Sequence, residues 1–383
     1  MNCGRPGRPE PGAAIGSAEA IAILATFTVL KVFLAAPERL TREGQTAAWA
    51  IPLLSALVSV LWVAPLVSVL NAYPGMDIIQ ITAKLAGRGF ALAAGSTYYV
   101  VLLAILATGA RQTVSALTSV ALPNTPLYFL LAVGYAVIVL VPLWGLESLA
   151  RATVIGGLYS YSMVALLPAV SLVSSYFVTP HRMDYLFPLL GPGVIDMAKI
   201  CLVRQSTYFE LLALGLLAPH IRERGGAGKV AWMSLVLSAF GSSLLLLALS
   251  LVFPYPSLAR VPFPHLRVTR ILGIGRFFQR LDALFVADWL TASLLGGALG
   301  VYVLGLTLAS TFHLHRYEPW LFRLSGAVVI LAAYSIPNLS MTVIAEYDIV
   351  RPATTVMLDT WPVSLFLLHR LRKRKSRLGS ERR

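Results

Sequence analysis

The sequence predicts an all-α integral membrane protein of about ten transmembrane helices, folded as a five-plus-five inverted repeat. Three observations carry this. First, 57% of the 383 residues are hydrophobic and only 13% charged, with a mean hydropathy of +0.75. A soluble domain carries about 25% charged residues, so this chain lacks the polar surface a soluble fold of its size needs. Second, apolar segments run near 17–36, 46–70, 90–119, 127–144, 152–178, 197–218, 229–253, 282–311, 318–337 and 353–369. Each approaches or exceeds the roughly 17–25 residues that cross a bilayer. Third, the second and seventh gaps are both long and carry an amphipathic stretch, 75–85 in one and 266–281 in the other. They hold the same place in segments 1–5 and 6–10 and fall on opposite faces, as an inverted repeat requires.

Pro and Gly punctuate the segment ends, at Pro37, Pro74-Gly75, Pro123, Pro126, Pro188, Pro219, Pro254, Pro319 and Pro337. Residues 1–16 are rich in Gly, Pro and Arg and read as a disordered arm; the first apolar run is too long for a signal h-region and reads as a retained helix. Residues 17–178 form the first repeat and 197–369 the second. The last segment is bracketed by Pro352 and Pro362 and contains Asp359. Lys and Arg gather on the side that holds both termini, above all in the basic tail 370–383, so both termini are expected in the cytoplasm. Placed directly after an apolar run, that tail fits contact with anionic lipid.

The net charge of +14 does not point to nucleic acid, because no aromatic interleaving accompanies it. Cys3 and Cys201 form neither a disulfide framework nor a metal pattern. The six histidines show no HExxH, and Gly191-Pro192-Gly193 is a turn rather than a phosphate loop. No catalytic pair, cofactor motif or metal site is expected, and an enzyme is the least favoured class.

Polar residues inside the apolar segments are the candidate site. A charge at mid-bilayer costs roughly 2.5–3.5 kcal/mol on insertion scales, so it usually meets a partner or a watery cavity. Segment 6 carries Lys199, Arg204, Ser206, Thr207 and Glu210; segment 1 carries Thr26, Thr28 and Lys31. These are the first helices of the two repeats, the ones usually interrupted around a substrate. On a straight helix, Lys199, Ser206, Thr207 and Glu210 share one stripe, with Lys199 about 16 Å from Glu210. Glu210 could meet an ammonium group or a proton, or form a structural ion pair with Lys31 or Arg204. Lys31 could also snorkel to an interface. Arg111, in segment 3, reads as an interface anchor or a gate. Asp282 and Asp288, beside Arg280, read as acidic residues at a helix start.

Several strings, taken in order, resemble the spore germination permease family, the B subunit of the three-part nutrient germinant receptor. They are Gly44-Gln45 with Trp49, Tyr73-Pro74-Gly75, Arg111 with Leu122-Pro123-Asn124-Thr125-Pro126, Phe187-Pro188-Leu189-Leu190-Gly191, Phe209-Glu210, and Arg280-Leu281-Asp282-Ala283-Leu284-Phe285 with Trp289. The resemblance runs from about residue 17 to 369. It implies an amino-acid-permease fold of the amino acid–polyamine–organocation group and a role in sensing a small nutrient, typically an amino acid, in the inner membrane of a spore. It implies A-type and lipoprotein C-type subunits as partners. A true amino-acid transporter of the same fold is the alternative.

The chain departs from the family pattern at both helix breaks. Related chains carry Gly and a small polar residue where this one has Leu30 and Lys31, and Gly where it has Tyr208. Lys31 is therefore expected to replace a bound cation or to pair with Glu210, and Tyr208 to reshape the pocket. The expected ligand-binding set is Thr26, Thr28, Lys31, Ser206, Thr207, Tyr208 and Glu210, with Arg111, Arg204 and Asp282 gating or structural.

Overall fold

A computed structural model describes residues 15–173, 180–223, 225–271 and 281–380. Most of the 1–16 arm, Arg280 and residues 381–383 lie outside this set, as does the side chain of Asp282. The described chain is helical, because a backbone in hydrocarbon must satisfy its own N–H and C=O groups. Its exception is an isolated parallel bridge between Ile15 and Ile221.

The first expected segment is α1 (Ser17–Val29), which tightens into a 3₁₀ turn at Leu30–Phe33. A short α2 (Ala36–Gly44) and a 3₁₀ stretch lead to α3 (Ile51–Ala72). The amphipathic stretch of the second gap is α4 (Ile78–Ala86), capped by Asp77, whose carboxylate accepts from the Ile79 and Gln80 amides at 2.8 Å. Then come α5 (Arg88–Val120), α6 (Leu127–Leu143) and α7 (Leu146–Val173). The second repeat opens with α8 (Val194–Arg204), which gives way to a 3₁₀ stretch at Gln205–Ala213 and continues as α9 (Leu214–Leu217). After it run α10 (Gly226–Val252), the short α11 (Tyr255–Leu258), α12 (Pro264–Ile271), α13 (Leu281–Phe312), α14 (Glu318–Ser335), α15 (Leu339–Ile344), a π-helical turn at Ala345–Val350, and α16 (Arg351–Ser380).

Six helices among the described residues are individually long and apolar enough to cross a membrane. The other four expected segments are helical but marked by their sequences. The first is interrupted at Leu30, and α6 has 17 residues. α14 opens on Glu318-Pro319 and carries Arg323, and α16 contains Asp359 and Pro362 before its basic end. The expected link 338–352 is instead α15 plus the π turn, held by Asn338 capping the Met341 amide at 2.9 Å.

Packing reveals the repeat. α1 lies on α10 and α7; correspondingly the α8–α9 segment lies on α3 and α16. α7 lies on α10 as α16 lies on α3, α6 on α13 as α14 on α5, and α4 on α5 as α12 on α13. Exchanging the two sets of five helices thus maps these contacts onto one another. An odd number of crossings per set makes the second set run inverted. The sets interlock at points without side chains. A Cβ on Gly95 of α5 would sit 2.2 Å from the Thr311 Oγ1 of α13, so a side chain there would force the two helices or Thr311 to move.

The amphipathic α12 packs on α13 and α10 and places His265 against the first helix break. The His265 ring meets Phe33 edge-on at 5.7 Å and stacks on Phe285 at 5.9 Å. Burial pushes this imidazole down to about 3, so it stays neutral in the fold. An unfolded histidine titrates near 6.5 and binds the proton first. His265 therefore subtracts stability as pH falls from about 6.5 toward 3. Replacing His265 with Phe is expected to shrink the acid-induced loss of thermal stability over that window, measured in detergent. An unchanged pH profile would contradict a buried neutral histidine.

Candidate functional site

Both predicted helix breaks are present and face each other. The 3₁₀ turn at Leu30–Phe33 ends at Leu34 with φ −97° and ψ −135°, well outside helical geometry. The nine-residue 3₁₀ stretch Gln205–Ala213 is far longer than the usual three or four residues. Its altered hydrogen-bonding leaves main-chain oxygens open to side chains from other helices. The Thr207 carbonyl accepts from Lys31 Nζ, and the Ser206 carbonyl accepts from Arg351 Nη1 at 3.0 Å.

Glu210 sits between the two cations. One oxygen is bonded to Lys31 Nζ; the other lies 3.5 Å from Arg351 Nη1. Arg351 also donates from Nη2 and Nε to Glu346 Oε1, at 2.7 and 3.2 Å. The second Glu346 oxygen accepts from Gln112 Nε2, and Gln112 Oε1 accepts from the Ala35 amide at 3.1 Å. Lys31, Glu210, Glu346 and Arg351 are each at most 8% exposed. The result is an electroneutral tetrad that joins both helix breaks to α5, the π turn and the start of α16. Each ion costs several kcal/mol to bury, and mutual pairing offsets that cost only while every member has its partner.

The tetrad walls one end of a cavity of about 110 Å³. Most of the remaining lining is apolar, with Leu130, Leu131 and Ile138 of α6 and Val329 and Ile330 of α14 beside Gly109 and Gly297; Gln112, Thr113 and Ser293 add polar groups. A solute here meets fixed charges of both signs and a mostly apolar wall.

Other expected site residues are elsewhere. Tyr208 is fully buried, donates to the Pro52 carbonyl at 2.6 Å and does not line this cavity. Its hydroxyl reaches the start of α3. Thr28 bonds back to the Leu24 carbonyl at 2.8 Å. Thr26 faces α7, and the Ser206 hydroxyl is buried without a bonding partner. The straight-helix stripe does not form, because α8 ends at Arg204; Lys199 lies on the exposed side, 3.0 Å from Asp196.

Arg204 pairs with Glu43, not Glu210, through Nε at 2.6 Å and Nη2, and covers the Tyr347 ring at 5.6 Å. Arg39 joins Glu43 at 2.7 Å to Asp348 at 2.9 Å. This second network ties α2 to the end of α8 and to the π turn. Arg111 donates to the Pro337 carbonyl at 2.8 Å and so ties α5 to the turn after α14.

Sequence reasoning missed Gln112, an uncharged residue beside Arg111 in segment 3, and also Glu346 and Arg351, because 338–352 read as a link between segments. Arg351 read there as a connection charge, yet it is 3% exposed. Two signals existed: Asn338 before an apolar run is an N-cap pattern, and a link of that length without structure is uncommon in a compact fold.

Comparison with known proteins agrees with this fold. A family model described as "Spore germination protein", the spore permease model, matches residues 14–338. "Spore germination protein XB" of Bacillus anthracis is 22% identical over 291 residues, covering 74% of this chain and 78% of the relative. Among solved structures, the nucleobase-cation-symport-1 transporter Mhp1 superposes with a TM-score of 0.67 at 14% identity, over 94% of this chain and 80% of Mhp1. A Na⁺-coupled sialic acid symporter gives 0.65 at 13%, over 92% and 91% of the two chains. MhsT in complex with L-phenylalanine gives 0.60 at 15%, over 94% and 99%. At these identities the likeness concerns the fold, and it is the inverted-repeat transporter fold.

Removing one partner of a buried pair strands the other, at about 3–5 kcal/mol. Lys31→Met is expected to destabilise the purified protein by that order. Lys31→Met with Glu210→Gln is expected to recover part of the loss, because the stranded charge is gone. Thermal unfolding of both variants in one detergent makes the comparison; additive losses would show that the pair is not coupled.

Proposed function

This chain belongs to the spore germination protein family matched by the spore permease model, and from that premise we propose how its cavity serves germination. It is the permease-like membrane subunit of a germinant receptor, a multi-pass protein that senses a small nutrient and triggers germination. Its relatives are permeases and transporters rather than enzymes.

The observation that carries the finer reading is the neutral tetrad at the end of an apolar cavity. A net-charged ligand would leave that end unbalanced. A zwitterion balances it: the ligand carboxylate takes a place beside Lys31 or Arg351, and its ammonium takes one beside Glu210 or Glu346. Charge pairs are exchanged, and no net charge is added to the interior. Leu130, Leu131, Ile138 and Val329 then receive an uncharged side chain. The ligand class is an amino acid with an apolar side chain.

Lys31 and Arg351 also hold the carbonyls of Thr207 and Ser206. A ligand that draws Lys31 away loosens the contact between the two breaks, and one that draws Arg351 away frees the second break from α16. Binding thereby biases a two-state rocking of the repeats, in proportion to its different affinity for the two states. A-type and lipoprotein C-type subunits would read that bias in the inner membrane of the spore. In this reading both termini face the cytoplasm. The basic end of α16, beyond Arg372 where it donates to the Leu85 carbonyl at 3.1 Å, is assigned to anionic lipid.

The test uses the full chain in nanodiscs and a panel of L-amino acids, their decarboxylated amines and their N-acetyl forms. Apolar L-amino acids are expected to raise the unfolding temperature, the two control series to leave it unchanged, and Glu210→Gln to abolish the shift. Equal shifts from an amine lacking the carboxylate would overturn the zwitterion reading.

The symporter-like fold over more than nine-tenths of the chain favours one alternative, an amino-acid transporter. Proteoliposomes holding this chain alone separate the two. Binding without uptake of radiolabelled L-leucine is expected for the receptor subunit. Accumulation above protein-free vesicles would assign transport.

A further inference from the structure

Asp359 is a carboxylate on the outward face of a spanning helix. α16 runs unbroken from Asp359 to the basic run that opens at Arg370, eleven residues further on. Eleven helical residues rise about 16 Å, half of the roughly 30 Å hydrocarbon core, so the carboxylate lies near mid-bilayer. Asp359 is exposed there, as are Val356 and Leu367 on the same face and Leu202 of neighbouring α8. It does not line the tetrad cavity. Its setting is therefore the lipid-facing surface of the bundle.

The chain itself serves this carboxylate poorly. Both oxygens accept from one neutral donor, Gln205 Nε2, at 3.1 and 3.0 Å, and no Lys or Arg among the described residues pairs with it. Thr360, beside it, bonds back to the Val356 carbonyl at 2.7 Å. Lys199 lies six residues before Gln205, about 9 Å away along the helix axis, and is paired with Asp196 at 3.0 Å. A charge that faces lipid at this depth is costly unless it is paired. Aspartate lacks the long stem by which lysine and arginine snorkel to the headgroups. A proton on it would remove the charge but leave an O–H donor facing hydrocarbon.

We propose that this face of α16 docks a transmembrane helix of another chain, one that carries a lysine or arginine at the depth of Asp359. Charge complementarity names the partner. The face offers a carboxylate held by a single amide, and a basic side chain supplies both the missing donors and the opposite charge. A second copy of this chain does not fit, since a two-fold contact through this face would set two Asp359 carboxylates against each other. The contact also reaches toward the nutrient site. Gln205, 2% exposed, opens the 3₁₀ stretch that carries Glu210, so a partner's cation on Asp359 sits one side chain from the second helix break. The docking face shares no residue with the tetrad, and its test needs no nutrient ligand.

The experiment expresses the full chain in cells that produce the complete receptor, with photoreactive p-benzoylphenylalanine in place of Val356. Illumination of the membranes is expected to cross-link it to one membrane helix of another chain. Mass spectrometry of the cross-linked peptide identifies that helix, whichever subunit supplies it, and is expected to find a lysine or arginine within its apolar span. Asp359→Asn keeps an acceptor for Gln205 and removes only the charge. It is expected to lower the cross-linking yield by about tenfold or more, and replacing the partner's basic residue with Met to lower it alike. The isolated Asp359→Asn chain is expected to unfold in detergent at or above the wild-type temperature. Cross-links to lipid alone, to a second copy of this chain or to a helix without a basic residue would overturn the proposal, as would an unchanged yield in Asp359→Asn. A lowered unfolding temperature of the isolated Asp359→Asn chain would also overturn it and assign the charge to the chain's own fold.

Discussion

Lys31 and Glu210 meet where two helices from opposite repeats stop being α-helical, and the rest of the site is organised by the need to keep that contact neutral. A lysine and a glutamate buried in a membrane bundle are tolerated only as a pair. Pairing them fixes the distance between the first helix of each repeat. It also requires further partners, because each group has more bonding capacity than one contact uses. Lys31 reaches the Thr207 carbonyl, Glu210 reaches Arg351, and Arg351 recruits Glu346 from the π turn. Gln112 completes the chain and returns it to the first helix at Ala35.

The same constraint explains how a chain without glycine at either break still forms two breaks. Glycine would let the backbone approach a ligand directly. Here the cations approach the backbone instead, and the 3₁₀ stretches supply the carbonyls they bond. Tyr208, at the position of the second glycine, turns toward Pro52 and takes no part in the cavity. The pocket is altered by what fills the first break, not by the bulk added at the second.

Most of the architecture was legible in the sequence, because hydrocarbon imposes a length and a composition on every span. The two long gaps with amphipathic helices announced the repeat, and the polar residues of the first and sixth segments announced the breaks. The partners of Glu210 were only half legible. Lys31 lies within an apolar run and stands out there; Arg351 and Glu346 lie near Asp348 and Pro352, in a short stretch between two longer apolar segments, and do not. Their burial depends on how α15 and the π turn fold back onto α5, a tertiary event with no periodic signature. Arg204 misled for the opposite reason. It sits inside an apolar run yet faces Glu43, because the helix ends directly after it. Asp288 resembled a helix-start residue, yet it is fully buried and accepts from Ser160 of α7, distant in sequence.

The central claim is that the tetrad is the place where the nutrient binds and where the repeats are uncoupled. A cryo-electron microscopy map of the receptor complex tests it most directly, in the presence of the amino acid that gives the largest thermal shift. The account predicts ligand density at the tetrad end of the cavity. The ligand carboxylate should lie within hydrogen-bond distance of Lys31 or Arg351, with at least one of the Lys31–Glu210 and Arg351–Glu346 contacts opened. Ligand density elsewhere, with all four tetrad residues still paired as in the present structure, would contradict it.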